Sequence, residues 1–341
     1  MPTQGEHHSL ERLFGKRALV TGGAGFIGSH LCEALVAAGC EVISFDDYSA
    51  GKAWNLRTLA TLKGFTEVHG DIRSGPDLEP WLARGIDFVF HNAASKKNIC
   101  LRDPARDLSV NASGTLNLLQ LAVKHNVKKF VHASTGSVYG EPKILPTDET
   151  HPLDPVSYYG VSKLAGEKYV LTFATLHRLD ATVLRYFHVY GPRQESNQFG
   201  GVVAIFLRNV LQGRDVTIFG DGSQVRSLTW VGDVVQANLL AAVSERTRCE
   251  VYNCGSGIRV SVQEIAEKAI NVADALGLAR PRIVYADWQI GDILDFDISN
   301  AKIRAHLDMR FATNYATKLE EIAISIRDEL ATAPREPRRN S

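Results

Sequence analysis

The chain of 341 residues carries no excess of either charge: Lys and Arg together number 38, and Asp and Glu also 38. A protein without a net field has no general attraction for nucleic acid or for an anionic membrane surface, and neither is expected as a partner. No apolar run approaches the roughly 18 residues that a membrane span needs. The first 15 residues are polar and lack the apolar stretch of a secretory signal. Cysteine is scarce: Cys32, Cys40, Cys100, Cys249 and Cys254 form no CxxC pair and no zinc spacing. Reduced thiols in a cytoplasmic protein are therefore expected, with no disulfide framework and no metal site. Hydrophobic residues, at 45%, are plentiful enough to bury a sizeable core at this length.

What the sequence does have is alternation. Short apolar runs at 17–21, 41–45, 87–91, 129–133 and 181–186 read as strands, and 27–38, 108–125 and 159–176 have helical spacing of apolar positions. Strand–helix alternation implies an α/β fold, a Rossmann-like doubly wound parallel sheet with right-handed crossovers. The pattern breaks after Tyr186. A Gly/Pro/Asn-rich loop at 191–201 leads to a helix, a strand at 216–219 and a glycine turn at 220–222. Segments 231–243 and 251–253 read as a return to the first domain. The expected organisation is a tail at 1–15 and a dinucleotide-binding domain over 16–186 with about 228–258. A smaller α+β domain covers 187–227 with 259–330, and a disordered tail follows at 331–341.

The run Arg17-Ala-Leu-Val-Thr-Gly-Gly-Ala-Gly-Phe-Ile-Gly28 sets glycines at 22, 25 and 28 between a strand and a helix. In that context Gly22 allows the tight turn, Gly25 lets a pyrophosphate approach the backbone, and Gly28 lets the helix pack on the strand. The helix N-terminus then presents N–H groups to the anion. Asp46, 18 residues after Gly28, stands where a carboxylate accepts hydrogen bonds from the adenosine ribose. It would repel a 2′-phosphate, so NAD is expected rather than NADP.

Tyr159-Gly-Val-Ser-Lys163 is a Tyr-x-x-x-Lys pattern, and a strand ending Ala133-Ser134-Thr135 precedes it by 24 residues. With the spaced glycines, the chain resembles the extended short-chain dehydrogenases, specifically the NAD-dependent epimerase/dehydratase family and within it the UDP-glucose and UDP-glucuronate 4-epimerases. The resemblance runs from about Lys16 to Lys302. It includes Gly70-Asp71-Ile72, His91-Asn-Ala-Ala94, Asn111-Ala-Ser-Gly-Thr115, Leu184-Arg-Tyr-Phe187 and Tyr252-Asn-Cys-Gly255. Tyr159 is expected to act as a base, its phenol lowered from an ordinary pKa of about 10 by Lys163 one helical turn on and by a positive nicotinamide. Tyr158 is the adjacent candidate, but only Tyr159 has Lys at the fourth following position. Thr135 is expected to hydrogen-bond the sugar O4. The resemblance further implies cofactor contacts at Phe26, Ile27, Asp71, Ile72, Ala93, Ala94, Lys96, Asn111, Tyr186 and, through the nicotinamide ribose, Lys163.

Related 4,6-dehydratases carry Asp-Glu directly after the Thr, a pair that removes the C5 proton and protonates the departing C6 hydroxyl. Here those positions are Gly136 and Ser137, neither a general acid at neutral pH. Elimination is disfavoured, leaving 4-epimerisation or, as the alternative, a 4-ketosugar reductase or dehydrogenase; a non-catalytic NAD-binding regulator ranks third. The resemblance implies that Arg226 clamps a phosphate, that backbone near Val202, Thr217 and Phe219 holds the base, that Asp292 lies at the substrate, and that the protein is a homodimer. Three departures stand out. His188 replaces the family's Asn, Arg226-Ser227-Leu228 replaces Arg-Asp-Phe/Tyr, and Gln289 replaces a second phosphate Arg. The segment 292–297 is also shorter than the family's. His188, with Arg193 after it, suits either a hexuronate carboxylate or a simple replacement of the Asn donor. Lys96 and Lys97 suit either a pyrophosphate or solvent.

Overall fold

The computed structural model describes residues 10–95, 97–197, 200–288 and 297–332. These divide into two compact units. One holds residues up to Val189, Ser227–Ile258 and 297–312; the other holds Tyr190–Arg226, 259–288 and 313–332.

The first unit is built on a seven-stranded sheet. Its strands are β1 (Arg17–Thr21), β2 (Glu41–Asp46), β3 (Phe65–His69), β4 (Phe88–His91), β5 (Lys129–Thr135), β6 (Ala181–Tyr186) and β10 (Glu250–Cys254). The order is β10-β6-β5-β4-β1-β2-β3, with every neighbouring pair parallel. Because side chains alternate along a strand, each feeds two cores. Ala18, Val20, Phe90, Val131 and Leu184 join Leu31 and Leu35 of helix α1 (Phe26–Ala37) and Val234 and Leu240 of a later helix, Val231–Val243. On the other face Leu19, Val89, Phe130 and Val183 meet Leu78 and Leu82 of α2 (Gly75–Leu82), along with Leu118, Leu119, Val170 and Ala174. Helices on both faces of a parallel sheet make this the doubly wound architecture expected.

Between β4 and β5 run α3 (Lys97–Arg102), α4 (Pro104–Leu108), a π-helical stretch over Ser109–Gly114, and α5 (Thr115–Lys124). The sequence reads 108–125 as one regular helix; the structure inserts the wide turn. α6 (Tyr158–Leu176) opens with Ser157 as its cap, the Ser157 hydroxyl accepting from the Gly160 N–H at 3.1 Å.

β3 and α2 are among the elements that escape the sequence reading. β3 is the edge strand, where Phe65–His69 is only partly buried and shows no apolar run, and α2 follows it onto the second face of the sheet. A further difference concerns residues 297–312, which the sequence assigns to the second domain. They carry Ile303, Leu307 and Met309 into the core of the first unit, so they belong there. Phe187, His188, Val189 and Ser227 likewise lie in the first unit.

The second unit contains α7 (Val202–Leu211), β8 (Val216–Phe219), α9 (Val262–Ala275), β12 (Ile283–Ala286) and α11 (Leu319–Thr332). β8 and β12 pair in parallel, Val216 opposite Ile283. The remaining short elements are β7 (Val189–Tyr190), β9 (Val225–Trp230), α8 (Val231–Val243), β11 (Ile258–Ser261) and α10 (Ala301–Leu307). Among the described residues no helix is long and apolar enough to cross a membrane.

Candidate active site

The sheet order reverses between β1 and β4, and the turn after β1 stands at that switch point, where doubly wound folds bind ligands. Gly22 has φ +69°, and a Cβ there would lie 2.7 Å from the Ala93 nitrogen. It is therefore required twice, for the turn and for the approach of the segment that leaves β4. A Cβ on Gly28 would come within 2.1 Å of the Gly22 carbonyl, so α1 can seat against the turn only without a side chain. Gly25 caps α1 with no side-chain hydrogen bond, and the first turn of α1 carries no acidic residue. Phe26 and Ile27 form that turn. An N-terminus left without its own anion suits a pyrophosphate.

Asp46 ends β2 and is buried. Its Oδ2 accepts from the Ala24 N–H at 3.0 Å and its Oδ1 from the Tyr48 N–H at 2.8 Å. Burial raises its pKa, and the two backbone donors oppose that shift. A Cβ on Gly51 would stand 2.7 Å from Asp46 Oδ1, so the following loop closes tightly over the carboxylate. Asp71 is gripped by Arg73, whose Nε reaches Oδ2 at 2.9 Å, and its pKa is lowered accordingly. Ile72 is buried, and its carbonyl accepts from Asn117 Nδ2 at 2.7 Å. The Tyr186 hydroxyl points to Asn238, whose Nδ2 donates to it at 2.8 Å. These groups fit a nicotinamide dinucleotide.

Tyr159 and Lys163 both lie in the first two turns of α6, beside the end of β5. The Thr135 hydroxyl stands near the Tyr159 phenol and acts to lower its pKa. Burial acts in the opposite direction and prevails, lifting the phenol to about 12. Burial acts on Lys163 as well and brings the lysine down to about 8. Burial thus drives the two groups apart: the phenol is harder to ionise and the ammonium easier to discharge than either would be in water.

Behind Lys163 stands a polar layer of which the sequence reading singled out only Asn111, as a cofactor contact. Asn111, in the π stretch, accepts from the Ser95 N–H at 2.8 Å and donates through Nδ2 to Asp107 at 2.7 Å and to Ser162 Oγ at 3.0 Å. Cys100 Sγ donates to the same Asp107 carboxylate at 2.6 Å, and burial lifts the thiol to about 12. His91 sits in β4 between Thr21 Oγ1 at 2.7 Å and Thr115 Oγ1 at 2.9 Å. His132, its register partner on β5, lies 5.2 Å away ring to ring. The one available signal was the four-residue spacing of Asp107 and Asn111, which puts both on one helical face.

A second buried network braces α6 against the sheet. Glu167 accepts from Ser134 Oγ at 2.7 Å and pairs with Arg185 at 2.5 Å. Arg185 donates onward to the Tyr139 hydroxyl at 2.7 Å, which donates to Asn253 at 2.6 Å.

Of the residues expected to meet substrate, His188 is exposed and has φ +32°. In the second unit, Arg193 has φ +67°, Val202 opens α7, Thr217 and Phe219 lie on β8, and Arg226 Nη1 donates to the Val225 carbonyl at 3.1 Å. Lys96, Gln289 and Asp292 lie outside the described residues, as does most of the segment 292–297; Asp297 alone of that segment is described.

A glycine turn at the switch point of a doubly wound sheet, with a Tyr–Thr pair and a buried lysine nearby, defines an enzyme that works with a bound nicotinamide dinucleotide. The chain belongs to the NAD-dependent epimerase/dehydratase family, whose family model matches residues 18–255. NAD is its cofactor. It is 38% identical over 293 residues to a UDP-glucose 4-epimerase of Mycolicibacterium smegmatis, covering 84% of this chain and 91% of that one. Among solved structures it is similar to a UDP-glucose 4-epimerase of Thermotoga maritima with UDP-glucose, at TM-score 0.84 and 37% identity, covering 92% and 99% of the two chains. It is also similar to a UDP-glucuronic acid 4-epimerase of Bacillus cereus in complex with UDP-glucuronic acid and NAD, at TM-score 0.83 and 29% identity, with 92% and 99% covered.

Proposed function

We propose that the protein is a 4-epimerase of a nucleotide-linked hexose, with UDP-hexuronates favoured over UDP-glucose. The reaction is an isomerisation. The observation that carries the reading is the end of β5: Thr135 stands at the Tyr159 phenol, and no acid follows it. Gly136 comes next, and the Ser137 N–H is spent on Thr135 Oγ1 at 3.2 Å. Such a site holds one proton at O4 and lacks the second acid that elimination requires.

Bound NAD would supply a reversible hydride acceptor at C4. Tyr159, ionised against its burial by a positive nicotinamide charge, accepts the O4 proton as the 4-keto sugar forms and returns it afterwards. Thr135 keeps O4 and the phenol in one hydrogen-bonded line, and Lys163 supplies positive charge close by. The first turn of α1 and Asp46 hold the dinucleotide.

The hexuronate preference rests on His188, exposed at the end of β6 where the family has Asn, and on Arg193 in the loop that follows in sequence. A carboxylate held by a charged donor is worth about 1.5–3 kcal/mol, enough to select it over a hydroxymethyl group. We further propose a cytoplasmic homodimer. Tyr158, Val161, Tyr169 and Leu176 are exposed at helical spacing along α6, with Leu108 exposed at the end of α4. An isologous four-helix contact would cover them.

The test is a panel of UDP-glucose, UDP-N-acetylglucosamine and UDP-glucuronate, followed by proton NMR without added NAD. Inversion at C4 with UDP-glucuronate turned over fastest is the expected result. Equal or better use of UDP-glucose sinks the hexuronate preference alone. A 4-keto-6-deoxy sugar or a pentose sinks the epimerase reading too.

A further inference from the structure

The residue after Thr135 is closed to any side chain, and the group that closes it is Phe187. A Cβ built on Gly136 would lie 2.4 Å from Phe187 Cε1, 2.6 Å from Cδ1 and 3.1 Å from Cζ. Gly136 is itself buried at the end of β5, so the substituent has no route to solvent.

A phenyl ring would normally turn aside, and here it is held on its other sides. Phe187 is 3% exposed and stacks on Tyr139 with ring centroids 6.3 Å apart and planes 22° apart. Tyr139 is fixed by Arg185 at 2.7 Å and Asn253 at 2.6 Å. Behind the ring, Gly255 would bring a Cβ within 3.3 Å of Phe187 Cβ, and Ile298 fills the space beyond. Tight packing on every side turns a soft contact into a hard one.

The geometry points to Phe187 as a specificity-determining residue: its ring occupies the place where the first acid of a pair following Thr135 would have to stand, and so denies the site one of the two acids that elimination uses. This inference rests on the 4-epimerase reading only for the existence of a 4-keto stage. Elimination begins when a base takes the C5 proton and the bonding pair moves into the C4 carbonyl as an enolate. The C6 hydroxyl then leaves as water once an acid protonates it. With position 136 closed to anything larger than glycine and serine at 137, neither step has a carboxyl group on this strand end.

Two measurements test it. In a thermal-unfolding cycle, Gly136→Ala is expected to lower the melting temperature by roughly 3–8 °C with Phe187 present and by next to nothing in a Phe187→Ala or Phe187→Leu background. Equal losses in both backgrounds overturn the steric argument. The second uses NAD-loaded enzyme with UDP-glucose in D2O, followed by mass and NMR analysis at C5. The wild type and Gly136→Asp should leave C5 protiated. Gly136→Asp combined with Phe187→Leu should place deuterium at C5, because the carboxylate now has room to take the proton and return a deuteron. Deuterium in Gly136→Asp alone, or none in the combined variant, overturns the assignment of specificity to Phe187. If the wild type fails to epimerise UDP-glucose or any panel sugar, the functional reading fails, while the thermal cycle still reports on the packing.

Discussion

Replacing His91 with glutamine should make the fold less sensitive to acid. His91 is fully buried, and burial pushes its imidazole down to about 3, with the charge of Lys163 acting in the same direction. In the unfolded chain the ring titrates near its ordinary value of about 6.5. Between those two values the unfolded state binds a proton that the folded state refuses. Stability therefore rises with pH across this window and is lost as pH falls, at up to about 1.4 kcal/mol per unit. At about pH 5 the deficit from this one ring is about 2 kcal/mol relative to about pH 7.5, a sizeable share of a typical domain's stability. Glutamine can still bridge the Thr21 and Thr115 hydroxyls but cannot titrate. The expected outcome, by urea unfolding at several pH values, is a variant slightly weaker near neutrality whose deficit closes or reverses by about pH 5. His132→Leu should shift the slope in the same direction. His132 is also buried with its pKa lowered, and its ring nitrogens have no hydrogen-bond partner among the described residues. Unfolding curves that stay parallel to wild type across the whole range would refute the argument.

Tyr159→Phe should abolish turnover while NAD stays bound, and Thr135→Ala should cost less, roughly a hundredfold in turnover, read by coupled assay and by cofactor released on denaturation. Glu167→Gln strips the partner from a buried Arg185 and should destabilise by about 3–5 kcal/mol in chemical denaturation, with Arg185→Met in the same chain recovering part of the loss. Val161→Glu combined with Tyr169→Glu should yield a monomer by light scattering where the unaltered protein gives a dimer; an unaltered protein that is already monomeric at micromolar concentration counts against the dimer.

Much of the frame was legible because apolar runs flanked by glycine announce buried parallel strands. β1, β6, β8 and α8 fall on the residues that the pattern indicates. β3 was not, since an edge strand half in water has no continuous apolar run to read. Residues 297–312 look like any amphipathic tail until three apolar side chains are seen docking in the first unit. At the site, the Tyr159, Lys163 and Thr135 triplet was visible as spacing. The balance between burial and charge that sets their protonation was not, because desolvation depends on what the fold stacks around a group rather than on its neighbours in sequence. Gly136 illustrates the same limit. Its identity argues against elimination from the sequence alone, whereas the reason it must be glycine lies 51 residues away in Phe187.

The wide turn at Ser109–Gly114 makes chain length, rather than composition, the quantity on which the site depends. A π turn is an α-helix with one residue inserted, and removing a residue there would restore regular winding. Everything on the N-terminal side would then swing by about 100° about the helix axis. Leu118, Leu119 and Ala122 would keep their places in the core. Asp107 would turn away from Asn111, taking Cys100 with it, and the approach of α6 at Gly166, where a Cβ would lie 2.6 Å from the Asn111 carbonyl, would be lost. A series of single-residue deletions through this region, scored for soluble yield and turnover, should show a narrow zone that accepts no change of register.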